Sequence, residues 1–273
     1  MTVIDTQAIA RDLENAYIKR TEIAPPSATF GDAFTMPLAY DVEAEVARSR
    51  RAAGRTTVGR KVGFANKAMW RILKLDTLVW ARMYDSTVRY ASNNEATLPR
   101  SGFYSPRIEP EIVLKLKRAL EPGAADATAI LDAVEWIALG FEINDCMFPD
   151  WKFQPVDFVA AFGLHTALVV GDPQPVNADT IPTLAEQLPR FTLRLNKDGA
   201  LVEEGSGKAA LRSPALCVGE VASAIARQGA EPLEAGELIS TGTLTTPQPV
   251  AAGEAWRADV EGIALPSLTL RFD

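Results

Sequence analysis

Histidine is nearly absent. His165 is the only one in the 273-residue chain, which excludes a metal site of clustered imidazoles and leaves at most one Ser–His or Cys–His pair. Cysteine is almost as scarce. Cys146 and Cys217 lie far apart and form no CxxC, so the expectation is two free thiols in a reducing cytosol. No run of Lys and Arg occurs, and 28 basic residues face 35 acidic ones, a net charge of −7. Such a chain lacks the electrostatic footprint of a nucleic-acid or anionic-membrane binder. Apolar stretches stay short of the roughly 18 residues that a membrane span needs. The opening MTVIDTQAIARDLENAY has no basic segment ahead of an apolar core, so no signal peptide is expected and the location reads as cytoplasmic. Also missing are a GxSxG elbow, a Walker A motif, a GxGxxG fingerprint, internal repeats and low-complexity linkers.

What is present suits one large domain with a helical arm: 47% hydrophobic and 23% charged residues. At this length about three quarters of the unfolded surface can be buried, without disulfides or a structural metal. Apolar spacing predicts helices over 6–22, over 40–53 with Asp41 as N-cap and Gly54 as exit, and over 66–75. From about residue 79 short apolar segments predict strands near 107–117, 137–144, 164–170, 191–196, 237–241, 255–260 and 268–272. Helices interrupt at 124–134 and 218–228, and Asn196-Lys-Asp-Gly199 reads as a hairpin turn. The expectation is an α+β chain with a helical region over 1–78 and a β body over 79–273, packed as one unit.

The chemistry sits in carboxylates. In Arg107-Ile-Glu109-Pro-Glu111-Ile-Val-Leu, period 2 puts Ile108, Pro110 and Ile112 on one strand face and Glu109 and Glu111 on the other, about 6–7 Å apart. If both were buried and ionised, their repulsion would cost on the order of 2–3 kcal/mol at an effective dielectric near 20. Either that face is solvated or a cation lies between them. Glu142 is a lone charge inside the apolar strand Trp136-Ile-Ala-Leu-Gly-Phe-Glu142-Ile. A buried carboxylate must be paired, with an Arg or Lys or as a third oxygen ligand beside Glu109 and Glu111. Three carboxylates with open positions suit Mg²⁺ or Mn²⁺.

Several segments resemble a known family in order. Gly59-Arg-Lys61-Val-Gly63-Phe-Ala-Asn-Lys-Ala-Met is similar to the GxKVGxTSKAM segment of 2-oxopent-4-enoate hydratases and 4-oxalocrotonate decarboxylases, in the fumarylacetoacetate hydrolase superfamily. Ile-Glu109-Pro-Glu111-Ile resembles their E-x-E strand, and Glu142-Ile-Asn-Asp145 with Asp150-Trp151-Lys152 resembles E-x-x-D…DWK. Gly205-Ser206-Gly207 is similar to a GxG-type loop, and Gly236-Glu-Leu-Ile-Ser-Thr241-Gly242-Thr243 to a GDVVLTGSLT turn. The resemblance runs from about Tyr40 to the last strand. It implies a mixed β-roll body with flanking helices, a divalent ion on Glu109, Glu111 and Glu142, and Lys61 beside it as proton carrier. Lys152 and Thr243 are implied as substrate-binding residues, and a homo-oligomer as the assembly. A cation on an α-keto acid stabilises an enolate, and a lysine near a cation loses its proton more readily.

The departures matter too. Leu78-Val79-Trp80-Ala81 stands where the family carries a PDFG-like tetrapeptide, so Val79 replaces an acid. Asp157-Phe-Val-Ala-Ala161-Phe162 keeps the first Asp of D-x-x-A-D-N-A-S and loses the second Asp, the Asn and the Ser. Val79 and Phe162 are therefore expected as apolar walls for a substrate tail. His165 is either a replacement for the lost catalytic groups or a packing residue. The expected activity is Mg²⁺-dependent hydration of a 2-hydroxy-2,4-dienoate or its 2-oxo tautomer in ring catabolism. The rivals are C–C bond hydrolysis of a larger ring-cleavage product, decarboxylation of an oxo-enedioate met by Arg60, Arg71 or Arg82, and a catalytically silent scaffold subunit.

Overall fold

The computed structural model describes residues 4–273. Three helices open it: α1 (Thr6–Lys19), α2 (Pro26–Phe30) and α3 (Met36–Ala52). The Asp5 carboxylate caps α1 by accepting from the Ala8 amide at 3.0 Å, and Arg20 ends it in the left-handed region, short of the predicted residue 22. α3 starts before residue 40, because Pro37 suits the first turn, where its missing N–H costs nothing. Asp41, expected as the N-cap, lies inside the helix.

The chain continues through β1 (Thr57–Gly63), α4 (Lys67–Leu73), β2 (Val79–Tyr84), β3 (Val88–Tyr90), β4 (Glu95–Leu98) and β5 (Pro106–Leu116). Then come α5 (Ala127–Leu131), β6 (Val134–Asp145), α6 (Pro155–Ala160), β7 (His165–Val170), β8 (Gln174–Pro175) and α7 (Ile181–Gln187). The last third holds β9 (Thr192–Lys197), β10 (Ala200–Ser206), α8 (Pro214–Arg227), β11 (Leu238–Ser240), β12 (Gln248–Pro249), β13 (Ala255–Glu261) and β14 (Leu268–Phe272). The expected hairpin joins β9 to β10, with Asp198 at φ 50° and Gly199 at φ 82°, the two positive φ values of a type I′ turn.

The larger sheet runs β2-β1-β11-β5-β6-β7-β3, with β12 on β5 and β8 on β6; the smaller runs β10-β9-β13-β14-β4. Most pairs are antiparallel, while β1–β11, β3–β7 and β4–β14 are parallel, giving the mixed α+β fold. β1 lies between β2 and β11, so a division at residue 78 would part it from both. There Gly59 permits a close backbone approach, because a Cβ would come 2.0 Å from the Leu238 carbonyl oxygen. Ile108, Ile112, Leu139 and Phe141 pack with Val218, Val221 and Ile225 of α8 in the main core. A second core joins Leu13 of α1, Val42 and Val46 of α3, and Phe158 and Val159 of α6. With the turn before it, α8 spans Gly207–Arg227, long and apolar enough to cross a bilayer despite the expectation from sequence, and 67% of its apolar window is buried in this fold.

Asp157 ties the helical region to the body. It is fully buried, and its carboxylate accepts from the Ser27 amide at 2.7 Å, the Ser27 hydroxyl at 2.6 Å and the Gln154 amide at 2.8 Å. Hydrogen bonds to a charged group are worth about 1.5–3 kcal/mol each, and unpaired buried donors add a penalty. Asp157→Ala should therefore lower stability by about 3 kcal/mol or more, read as a fall in the urea midpoint at unchanged slope. A midpoint within experimental error of the parent would refute this tie.

Candidate active site

The site is built by strand register. β5 and β6 pair antiparallel with Glu109 opposite Glu142 and Glu111 opposite Gly140, so the side chains that period 2 puts on one face of each strand meet. One carboxylate oxygen from each of Glu109, Glu111 and Glu142 lies within 4.8 Å of the others. All three residues are buried. Glu111 Oε2 accepts from the Ser240 hydroxyl at 2.6 Å and the Gly242 amide at 2.8 Å, while its Oε1 is buried without a partner. Glu142 Oε1 meets His165 Nδ1 at 2.7 Å, and its Oε2 meets Lys61 Nζ at 2.8 Å.

Electrostatics follow from burial. Desolvation pushes Glu109 up to about 7; Lys61 opposes the shift and the neighbouring Glu142 adds to it. Glu111 is pushed well above the usual carboxylate range by burial, then by Glu142 and Glu109. Burial acts on Glu142 in the same direction, yet Lys61 and His165 together outweigh it and hold Glu142 below its ordinary value. Burial also lowers His165, against the pull of Glu142. A neutral imidazole beside an ionised Glu142 donates from Nδ1–H, and its Nε2 lies 2.9 Å from the Thr87 hydroxyl.

This donor set fits a divalent cation. Glu111 Oε1 lacks a partner, the donors are all hard oxygens, and three ionised carboxylates, one ammonium and one divalent ion sum to zero charge. Mg²⁺ or Mn²⁺ would be held by Glu109, Glu111 and Glu142.

Lys61 is 1% exposed, and its Nζ also donates to Asn144 Oδ1 at 2.9 Å and to the Gly163 carbonyl at 3.0 Å. Gly163 adopts φ 69°, and a Cβ there would fall 2.6 Å from Lys61 Cδ, so glycine alone lets this carbonyl reach the ammonium. Lys61, Glu109 and Asn144 form the polar floor of a cavity of about 600 Å³. Phe64, Met69, Leu73, Phe153 and Phe158 supply apolar wall, with Arg107 over the Trp151 ring at 4.1 Å.

Of the residues expected to face substrate, Thr243 lines this cavity, and Val79, Lys152, Phe162 and His165 do not. Val79 and Phe162 are buried in the second core, where Phe162 meets Tyr17 edge-on at 5.1 Å. The apolar wall is therefore made by other residues. Lys152 is 81% exposed and paired with Asp150. His165 stands behind Glu142 and does not line the cavity, so it orients a carboxylate instead of facing substrate. Arg60 pairs with Glu237 at 2.7 Å, Arg82 pairs with Glu43, and Arg71 is also absent from the lining. Sequence reasoning gave no site role to Arg107, Asn144, Phe158, Ser240 or Gly242, although it marked the turn that holds the last two. Arg107 and Asn144 were legible as same-face neighbours of Glu109 and Glu142.

Buried carboxylates able to hold a metal ion, a lysine and an apolar-walled cavity make up the candidate site. Residues 58–270 match the model for the fumarylacetoacetate (FAA) hydrolase C-terminal region, and the chain belongs to the fumarylacetoacetate hydrolase family. It is 30% identical over 234 residues, 86% of each chain, to 2-hydroxyhexa-2,4-dienoate hydratase of Comamonas testosteroni. It is 28% identical over 265 residues to 4-oxalocrotonate decarboxylase of Pseudomonas sp. (strain CF600), covering 97% of this chain and 96% of that one. The solved 4-oxalocrotonate decarboxylase from Pseudomonas putida G7, complexed with magnesium and adipate, matches with a TM-score of 0.88 at 25% identity over 100% of both chains. These relatives set the chain in the hydratase and decarboxylase branch of the family.

The raised carboxylates make cation binding depend on pH. Below about 7 Glu109 holds a proton that a cation must displace, so Mg²⁺ binding should release protons at pH 6 and fewer as pH rises. Affinity should strengthen by up to about tenfold per pH unit below 7 for each proton released. Without metal, the raised Glu109 value stabilises the fold fully below the unfolded pKa, and that contribution fades as pH rises through about 7. Calorimetric titration between pH 6 and 8 checks the linkage; a flat Mg²⁺ affinity across that range would contradict it.

Proposed function

We propose that the protein is a divalent-metal-dependent hydratase, converting a 2-hydroxy-2,4-dienoate through its 2-oxo-3-enoate tautomer to a 4-hydroxy-2-oxo acid. The observation that carries this reading is Lys61, a buried ammonium facing the cavity and bonded to one carboxylate of the Glu109–Glu111–Glu142 set. The relatives' names support the substrate class. A metal held by these carboxylates supplies Lewis-acid polarisation of the substrate's carboxylate and 2-oxo group. The chain's own groups do the rest. Ketonisation moves a proton from the C2 hydroxyl to C5, and hydration then places OH on C4 and H on C3. Lys61 Nζ, fixed by Asn144, Gly163 and Glu142, carries the proton to carbon. Phe64, Phe153 and Phe158 cover the tail and exclude bulk water. Burying each methylene there is worth about 0.8 kcal/mol, which favours an apolar tail over the shortest dienoate. We place this activity in the cytosol, a reading supported by two buried free thiols.

Decarboxylation of an oxo-enedioate is the second reading, favoured by Arg107. Its guanidinium lines the same cavity without an acidic partner among the described residues and is suited to a second carboxylate.

Incubation of the Mg²⁺-loaded protein with dienoates of increasing length, followed by product mass, decides between them. A gain of one water supports hydration, loss of CO₂ means decarboxylation, two fragments mean C–C hydrolysis, and no turnover of any 2-oxo acid leaves the scaffold reading. Lys61→Met should lower kcat by about 10²–10⁴ while Mg²⁺ binding is retained or tightened, since a positive charge leaves the site. An unchanged kcat would remove Lys61 from the chemistry.

A further inference from the structure

A second cavity is distinguished by its charge. It is about 590 Å³ and lies between the ends of α1 and α3, the β2–β3 turn and the start of β7. Arg20, Arg50, Arg55 and Arg89 line it, and Glu14 is the one carboxylate among its lining residues, in a chain of net charge −7. It shares no lining residue with the cavity over the carboxylates.

Arg50 is the best-held of these cations. Its Nε donates to Glu14 at 3.2 Å, and its guanidinium lies over the rings of Phe162, Tyr84 and Tyr17 at 4.1, 5.0 and 5.6 Å. Stacking and 13% side-chain exposure fix its plane while its two terminal amino groups have no partner among the described residues. Arg55 and Arg89 are exposed and lack acidic partners among the described residues. Tyr84 also lines the cavity; it is 1% exposed, and its hydroxyl has no hydrogen-bond partner. The Thr166 hydroxyl on the same wall is buried and unpartnered as well. Unpaired buried hydroxyls are costly, and an acceptor placed in the cavity relieves them. The remaining wall is mixed: Ile18, Leu98, Pro99 and Phe103 give it an apolar side, and Ser49, Ser86 and Thr87 a polar one.

We infer that this cavity is a second ligand site, for a small carboxylate with an apolar body. The carboxylate takes the terminal amino groups of Arg50 and the field of Arg89, with Tyr84 as a further donor. The body lies against Ile18, Leu98 and Phe103. Inorganic phosphate shares the oxyanion chemistry but leaves the apolar wall uncovered. The site backs onto the metal centre: Thr87, on its wall, bonds His165, which in turn holds Glu142.

The test titrates the full-length Mg²⁺-loaded protein with benzoate and with inorganic phosphate, read by calorimetry. Saturable benzoate binding, tighter than phosphate, is expected. Arg50→Gln should weaken it roughly 10- to 100-fold, the loss of a charge-assisted pair. Because Arg50 also packs on three rings, the exposed Arg89→Gln serves as the second variant, weakening benzoate several-fold with turnover unchanged. Lys61→Met should keep benzoate affinity. Three results overturn the inference: non-saturable binding, phosphate binding tighter than benzoate, or affinity lost in Lys61→Met and kept in both arginine variants.

Discussion

The register of β5 on β6 is the constraint on which the rest of the centre depends. It sets Glu109 against Glu142 and brings Glu111 beside them, three buried carboxylates whose mutual repulsion opposes the pairing. What holds the register is the other side of the same strands. Ile108, Ile112, Leu114, Ile137, Leu139, Phe141 and Ile143 are all fully buried, and each contributes about 1.5–3 kcal/mol against exposure. That sum exceeds the repulsion several times over. A slip of one residue would turn the apolar set outward and the carboxylates into the core, so the strained arrangement persists because its alternative is worse.

Lys61 is held from two separate parts of the chain. Asn144 and Glu142 come from β6, and the Gly163 carbonyl comes from the segment before β7. In that segment Phe162, Gly163 and Leu164 all have positive φ, an arrangement costly for the two side-chain-bearing residues. The helical region over-determines it, since Tyr17 of α1 and Arg50 of α3 pack on the Phe162 ring. The N-terminal helices are thus part of the support of the ammonium. Val79 and Phe162 also belong to the second core. Neither lines the cavity that Lys61 faces.

His165 shows how a scarce residue is used. Its two nitrogens bridge Thr87 and Glu142, and burial keeps the ring neutral, so it aims a carboxylate without adding charge to a crowded site. Ser240 and the Gly242 amide do the same for Glu111 from β11 and the turn after it. Glu142 and Glu111 are thereby oriented by groups far away in sequence. The second, arginine-lined cavity reaches the centre through Thr87, which bonds His165, and through Tyr17 and Arg50, which pack on Phe162.

What the sequence determined by itself was local. Period 2 in Ile108–Leu116 put Glu109 and Glu111 on one face, a lone Glu142 in an apolar run marked a buried charge, and Asp198-Gly199 marked the hairpin. Chain-wide motifs carried the family. These are legible because side-chain alternation and turn dihedrals depend only on neighbours along the chain. The tertiary structure alone decided what covers each face: that His165 pairs with Glu142 across 23 residues, that Lys152 points to solvent, and that Val79 and Phe162 pack inward while Arg107 lines the cavity. Alternation says which way a side chain points from its strand. It cannot say which distant segment is packed there, because that choice is made by the whole core at once.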